Sequence, residues 1–234
     1  MLSILLLLGL LLAYAINGLA DGWPGWVRPG WQRPGSAAGE TGLRWRLLLV
    51  AAVTALGLPL LWLAEGWTPR FGLHSVYLTA AILIVVIDVE RLRIPNAIVY
   101  PMLLIAMTAA AMGLGPRGVG DPLSGLASAL TGAGVALIIF GLLFLVGAGL
   151  AARLNPGAGP GLGMGDVKLA ALVGLVTGYS RVVEALFASL VTAGLAAALM
   201  VGWQIVRRRY QPGEPLPLGP FLVLGALWAL LRPG

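Results

Sequence analysis

Hydrophobic residues run along this chain in long blocks that are separated by short polar segments. Eight of these blocks are candidates for membrane-spanning helices, each of which needs roughly 20 apolar residues. They cover residues 2–20, 45–64, 73–89, 96–114, 123–151, 167–180, 182–206 and 216–231. The sixth block is short, so its helix is expected to start below the membrane surface, after a glycine-rich segment that lines a cavity. The pattern predicts an all-α polytopic membrane helical bundle of about eight transmembrane helices.

The basic residues between the blocks predict how the helices cross the membrane. If the spans alternate in direction, eleven of the 15 Lys and Arg residues fall on one side and four on the other. The larger set consists of Arg28, Arg33, Arg44, Arg46, Arg91, Arg93, Arg153, Lys168, Arg207, Arg208 and Arg209. The smaller set consists of Arg70, Arg117, Arg181 and Arg232. Because loops rich in Lys and Arg stay in the cytoplasm, the larger set is expected there, with both termini outside.

The first block and the polar segment after it make up the N-terminal part of the chain. Residues 1–20 are very apolar but have no positively charged start, so a retained first helix is expected rather than a cleaved signal peptide. Residues 21–44 are rich in Gly, Pro and Trp and are predicted to form an irregular cytoplasmic loop. The whole chain, 1–234, is expected to form a single integral membrane domain.

Composition excludes several classes of function. Hydrophobic residues make up 59% of the chain and charged residues 10%, against about 25% charged in soluble domains. There is no cysteine and a single histidine, His74, so neither a cysteine-ligated zinc site nor a multi-histidine metal site is possible. The net charge is +6, and the basic residues cluster at the ends of the spans. This distribution indicates contact with a lipid bilayer and not with nucleic acid. Small residues inside the fifth block, such as Gly132 with Ala136 and Gly141, are predicted to permit close helix packing.

Two aspartates stand out against this apolar background. Asp88 follows six apolar residues, 82–87, and Asp166 follows the glycine-rich segment 161–165. A carboxylate in or beside a membrane span is costly to keep there and marks a candidate functional site. Two spans separate the aspartates, so both are expected at the cytoplasmic ends of their helices. Two neighbouring carboxylates can share a proton and perform acid–base chemistry on an amide bond.

Each of these polar residues also has a purely structural interpretation. Asp166 could cap the helix that follows it, and Asp88 could belong to a span end at which acidic and basic side chains pair. Glu90 is interpreted as a solvated surface charge, and residues 207–209 as a cytoplasmic anchor. Lys168 lies two residues after Asp166, which is not the same helix face, so it is expected to extend to the membrane interface instead.

Three motifs, in order, resemble those of the type IV prepilin peptidase family, which are aspartic proteases of the bacterial inner membrane. The first is residues 88–96, an aspartate followed by arginines and Ile-Pro-Asn. The second is residues 163–169, Gly-Met-Gly-Asp-Val-Lys-Leu, and the third is residues 217–222, Pro-Leu-Gly-Pro-Phe-Leu. By this resemblance the catalytic core is residues 45–231 and Asp88 and Asp166 are the catalytic pair. The residues that support the motifs are Gly163, Gly165, Lys168, Pro95, Pro217 and Pro220.

The resemblance implies an activity and a substrate. The two aspartates would activate a water molecule that attacks the scissile carbonyl, with no metal or cofactor. The substrate would be a prepilin or pseudopilin, whose basic leader is removed after a Gly at the cytoplasmic face of the membrane. Many members also carry a cytoplasmic domain with two Cys-x-x-Cys pairs, and bifunctional members methylate the new N-terminus. This chain has no cysteine, so peptidase activity is the better supported of the two implications.

Other classes of protein share parts of this pattern. A proton-coupled membrane transporter could use intramembrane aspartates, but it predicts acids near mid-membrane and a repeat between halves of the chain. A presenilin-like protease shares Gly-x-Gly-Asp, but its Tyr-Asp and Pro-Ala-Leu motifs are missing here. A catalytically silent scaffold would be distinguished by mutation of either aspartate.

Overall fold

The computed structural model describes residues 2–22, 40–115, 121–154, 162–208 and 216–231. Within these ranges all regular secondary structure is helical, as the sequence predicts. The helices are α1 (Leu2–Gly22), α2 (Glu40–Glu65), α3 (Pro69–Arg91), α4 (Asn96–Ala109), α5 (Pro122–Leu154), α6 (Met164–Thr177), α7 (Tyr179–Val206) and α8 (Gly219–Leu231). A π-helical turn, Ala110–Leu114, extends α4.

The lengths of the helices confirm a multi-pass membrane protein. In the described ranges, six helices (α1 to α5 and α7) are long and apolar enough to cross a membrane. The other two, α6 with 14 residues and α8 with 13, are shorter. At about 1.5 Å per residue they reach roughly 20 Å, against a hydrocarbon core of roughly 30 Å. The short sixth helix that the sequence predicts is therefore present.

The segment between α1 and α2 is shorter than the predicted loop 21–44, because helical structure extends into the loop from both sides. α1 continues to Gly22 and α2 already begins at Glu40, because backbone hydrogen bonding extends a helix beyond the apolar block that marks its span. The remainder of the predicted loop, 23–39, lies outside the described residues, so its irregular and interfacial character stays a prediction.

The chain divides into two compact units, Met1–Val86 and Ile87–Gly234, and the single membrane domain stays a prediction. In the first unit α1 packs directly on α2. A Cβ atom at Gly9 would lie 2.6 Å from the Cα atom of Ala55, so the glycine is what allows the two helices to touch. The buried side chain of Asn17 accepts a hydrogen bond from Nε of Arg46 at 2.9 Å, which adds a polar link between the same helices.

Near the junction of α2 and α3, also in the first unit, His74 Nδ1 contacts the carboxylate of Glu65. The one histidine of the chain is therefore engaged with a glutamate of the same unit.

The second unit is built around the short helix α6, which is contacted by α4, α5, α7 and α8. Residues Leu169 to Leu175 are all buried, and a helix that is apolar on every side is typical of a position inside a bundle. At the crossing of α5 and α6, a Cβ at Gly132 would collide with the carbonyl oxygen of Gly174. The predicted packing role of Gly132 is thus confirmed, whereas that of Gly141 is wrong, because no atom of the described residues lies within 4 Å of its Cβ position.

Candidate active site

Asp88 lies in the last turn of α3 and is only 4% exposed. Its Oδ2 atom accepts a hydrogen bond of 2.8 Å from the main-chain N–H of Gly219, the first residue of α8. The positive end of the α8 dipole therefore faces a carboxylate, which is a stabilising arrangement. A buried side chain bonded to a helix N-terminus does not fit the interpretation of Asp88 as part of a solvated span end.

Asp166 is the third residue of α6, and not its N-cap, which is Gly163. Its Oδ2 accepts a hydrogen bond of 2.9 Å from the N–H of Gly163, and its own N–H donates to the Gly163 carbonyl at 3.1 Å. The acid closes the first turn from inside the helix, because a glycine N-cap has no side chain with which to do so. The N-cap interpretation is therefore wrong about the position, although the carboxylate does support the start of the helix.

The two carboxylates are close enough to influence each other. Asp166 precedes the apolar part of α6 and lies outside the six spanning segments. Burial raises the pKa of Asp166 to about 6, against the lowering effect of the Gly163 N–H, and the negative charge of Asp88 raises it further. Two like charges that interact in this way do not both ionise readily, so such a pair can hold one proton between them.

Both carboxylates are held in the same manner. In each, Oδ2 accepts one N–H from a glycine, Gly219 for Asp88 and Gly163 for Asp166. Among the described residues, Oδ1 of each carboxylate accepts no hydrogen bond. A pair that holds one proton can accept a hydrogen bond from a water molecule through its ionised carboxylate and donate one to a peptide carbonyl through its protonated carboxyl.

The glycines of the Gly-x-Gly-Asp motif have two different structural roles. A Cβ at Gly163 would lie 3.1 Å from Oδ2 of Asp166, so the glycine leaves room for the carboxylate. A Cβ at Gly165 would lie 3.1 Å from Cβ of Ile94, so this glycine lets α6 pack against the segment that follows α3. Both roles lie within the site, and approach of a substrate strand to these glycines stays a prediction.

Lys168 connects the first two motifs. Its Nζ atom donates a hydrogen bond of 3.1 Å to Oδ1 of Asn96 and lies 5.2 Å from the ring centre of Tyr100, a cation–π distance. As the helical spacing predicts, the lysine does not pair with Asp166. Pro95 provides the N-cap of α4, and its carbonyl accepts hydrogen bonds from the first turn of that helix.

The third motif contains a site residue that sequence reasoning missed. Pro217 lies in the short non-helical segment before α8, and Pro220 is the second residue of the helix, where a missing N–H is tolerated. Gly219 between them is buried, and a Cβ at this position would lie 2.8 Å from Oδ2 of Asp88. In the sequence, the one feature that could have pointed to Gly219 is its position between two prolines at the start of the last span.

A model of the Type IV leader peptidase family matches residues 75–199, more than half of the 234 residues, and this range includes both aspartates. The chain belongs to the type IV leader peptidase family. The family that the three motifs indicate is thereby confirmed. Among solved structures, none matches the chain.

Several relatives carry the name "Prepilin leader peptidase/N-methyltransferase". The one from Bacillus subtilis is 30% identical over 170 residues, which cover 69% of this chain and 58% of the relative. Those from Pseudomonas aeruginosa and Aeromonas hydrophila are 27% and 28% identical over 166 and 169 residues, covering 71% and 72% of this chain. Each of these alignments covers 51% of the relative. The chain thus spans about half the length of the relatives it matches.

The raised pKa of Asp166 predicts how stability depends on pH. In the folded protein this carboxyl binds its proton more tightly than in the unfolded chain between pH 3.8 and about 6. The free energy of unfolding of the wild type should therefore fall as the pH rises through this window. Asp166→Asn removes the titrating group, while its amide oxygen can still accept the Gly163 N–H.

Thermal unfolding in detergent, followed from acidic to neutral pH, measures this effect. The difference in melting midpoint, Asp166→Asn minus wild type, should increase as the pH rises from 3.8 to about 6. Above this window the difference should no longer change with pH. A difference that shrinks with rising pH would show that the folded state favours the ionised carboxylate instead.

Proposed function

We propose that this protein is a membrane aspartic endopeptidase that removes the leader peptide from a type IV prepilin or pseudopilin. Asp88 and Asp166 would be its catalytic pair. The observation that carries the proposal is the pair of part-satisfied carboxylates, each held by a glycine N–H, in which the charge of Asp88 raises the pKa of Asp166. Membership of the type IV leader peptidase family supports the same activity.

In the proposed reaction the pair shares one proton. The ionised carboxylate removes a proton from a bound water molecule, which attacks the scissile carbonyl. The protonated carboxyl donates to the carbonyl oxygen, and a proton then reaches the leaving amine as the C–N bond breaks. The part-buried environment favours the shared proton, because it raises the free energy of the doubly ionised pair.

The proposed site of action is the cytoplasmic face of the bacterial inner membrane. The distribution of Lys and Arg over the loops supports this orientation, with both termini outside. Cleavage after a Gly would release a basic leader from an apolar helix. We extend the proposal to the peptidase activity alone, because the chain has no cysteine with which to form the Cys-x-x-Cys pairs.

A proton-coupled transporter is the weaker alternative. It predicts acids near the middle of membrane helices, whereas Asp88 lies in the last turn of α3 and Asp166 in the first turn of α6. Both acids are at helix ends and interact with each other, which suits a shared-proton reaction.

Cleavage of a prepilin substrate by the purified protein tests the proposal. The substrate carries a basic leader, a Gly at the cleavage position and an apolar helix. We expect loss of the leader, with the new N-terminus at the residue after the Gly, as measured by mass spectrometry. A matched substrate with Leu in place of that Gly should remain uncut. If the folded protein leaves a panel of prepilins and pseudopilins intact, the proposed activity is wrong.

A further inference from the structure

The approach of Gly219 to Asp88 requires a glycine. Both residues are buried, and the N–H of Gly219 donates to Oδ2 of Asp88 at 2.8 Å. A Cβ atom at position 219 would lie 2.8 Å from Oδ2 and 3.2 Å from both Cβ and Cγ of Asp88. Oδ2 is the nearest of these atoms, but Cβ and Cγ are held close to the Asp88 backbone, so a rotation of the carboxylate alone would not relieve the tight contact.

The first turn of α8 leaves one N–H group for the carboxylate. Pro220 has no N–H, and those of Phe221 and Leu222 both donate to the carbonyl of Leu218 at 3.1 Å. Gly219 is thus the one donor of this turn that is available to Asp88. The helix itself carries no acidic or basic side chain, so it acts on Asp88 through its main chain.

Packing on α7 fixes the position of α8 along its axis. A Cβ at Gly225 would lie 2.9 Å from the main-chain nitrogen of Ser189, so the two backbones are in direct contact at this point. Near the other end of α8, the buried guanidinium of Arg181 donates a hydrogen bond to the carbonyl of Ala229. The guanidinium complements the negative end of the helix dipole, as Asp88 complements the positive end.

We propose that Gly219 is a positioning residue, whose main-chain N–H, held in place by the packing of α8 on α7, orients the Asp88 carboxylate for catalysis. This inference rests on the proposed peptidase function. With Oδ2 bonded to Gly219, the other oxygen of Asp88 is the one available to the reacting water. The bond is made in advance of the reaction, so its loss should affect the chemical step and not the binding of the substrate.

The substitution Gly219→Ala tests the inference in the full-length enzyme. We expect kcat for prepilin cleavage to fall by about 10²-fold, the typical effect of losing one preorganised donor, with KM within about threefold of the wild type. The matched control is Gly194→Ala in α7, because nothing lies within 4 Å of a Cβ there. The control should retain the wild-type kcat and melting midpoint, whereas the crowding at position 219 should lower the melting midpoint of Gly219→Ala, so kcat and KM are compared at a temperature at which all three proteins are folded.

The outcomes separate this inference from the proposed function. If neither the wild type nor Gly194→Ala cleaves the substrate, the proposed function has failed. If both cleave it and folded Gly219→Ala does so at the wild-type kcat, or is impaired in KM and not in kcat, Gly219 has no positioning role.

A second variant decides the matter if Gly219→Ala does not fold. Pro220→Ala adds no bulk but supplies an N–H at the second position of α8, directly after the Gly219 donor, so Gly219 is no longer the single available donor of this turn. We expect kcat to fall severalfold at unchanged KM, and an unchanged kcat would overturn the inference.

Discussion

Asp88→Asn and Asp166→Asn should each abolish leader cleavage. Asparagine keeps the size of the side chain, and its amide oxygen can still accept the N–H of Gly219 or Gly163. It can neither take a proton from water nor donate one as an acid. Loss of general acid–base catalysis alone typically lowers the rate by about 10²–10⁴-fold. Both the activation of water and the protonation of the carbonyl oxygen need the pair. We therefore expect cleavage by either variant to fall at least that far.

Initial rates on a prepilin substrate, measured with purified enzyme, provide the test. Asp121→Asn is the matched control, because the Asp121 carboxylate also accepts a main-chain N–H at a helix start, from Ser124 at 3.2 Å, but lies outside the three motifs. It should cleave at the wild-type rate. If both dyad variants fold and still cut the substrate, the aspartates are structural and the transporter alternative regains support.

Gly132→Ala should strongly destabilise the second unit. The added Cβ would collide with the carbonyl oxygen of Gly174 and lie 2.7 Å from the carbonyl carbon of Gly178. Both obstacles are backbone atoms, so no side chain can rotate away and the helices must separate. Overpacking of a core typically costs about 1–3 kcal/mol, and we expect a value at the upper end of this range. Separation of α5 and α6 would also shift the helix that carries Asp166.

Gly134→Ala, two residues further along α5, is the control for this prediction. Nothing lies within 4 Å of its Cβ position, so the change should leave stability unaffected or raise it by up to about 1 kcal/mol through helix propensity. Unfolding in detergent, followed by circular dichroism, compares the two variants with the wild type. Equal melting midpoints for the two variants would contradict the close helix contact.

Much of the molecule could be predicted from local patterns. Apolar blocks long enough to span a membrane predicted the helices, since a helix in lipid must satisfy its own backbone hydrogen bonds. Aspartates set against long apolar runs were recognisable as site candidates, because a carboxylate is costly to keep there. The order of the three motifs was sufficient to indicate the family.

Helix boundaries and the roles of individual glycines were predicted less well. α2 starts at Glu40, five residues before the apolar block, because hydrophobicity marks the membrane-spanning part of a helix and not the full extent of its backbone hydrogen bonding. Gly132 and Gly141 look alike in sequence, yet only Gly132 meets another helix. Which face of α5 touches α6 depends on the arrangement of both helices, and one helix's sequence does not contain that information.

The sequence by itself determined the all-helical membrane architecture, the two aspartates and the family, because each depends on residue type and spacing within one segment. Only the tertiary structure decided that Gly219 holds Asp88, 131 residues away, and that Lys168 bonds Asn96, 72 residues away. Main-chain donors are present at every residue except proline, so sequence alone cannot indicate which one meets a carboxylate. That choice is made when α8 packs on α7 and its first N–H comes to face the end of α3.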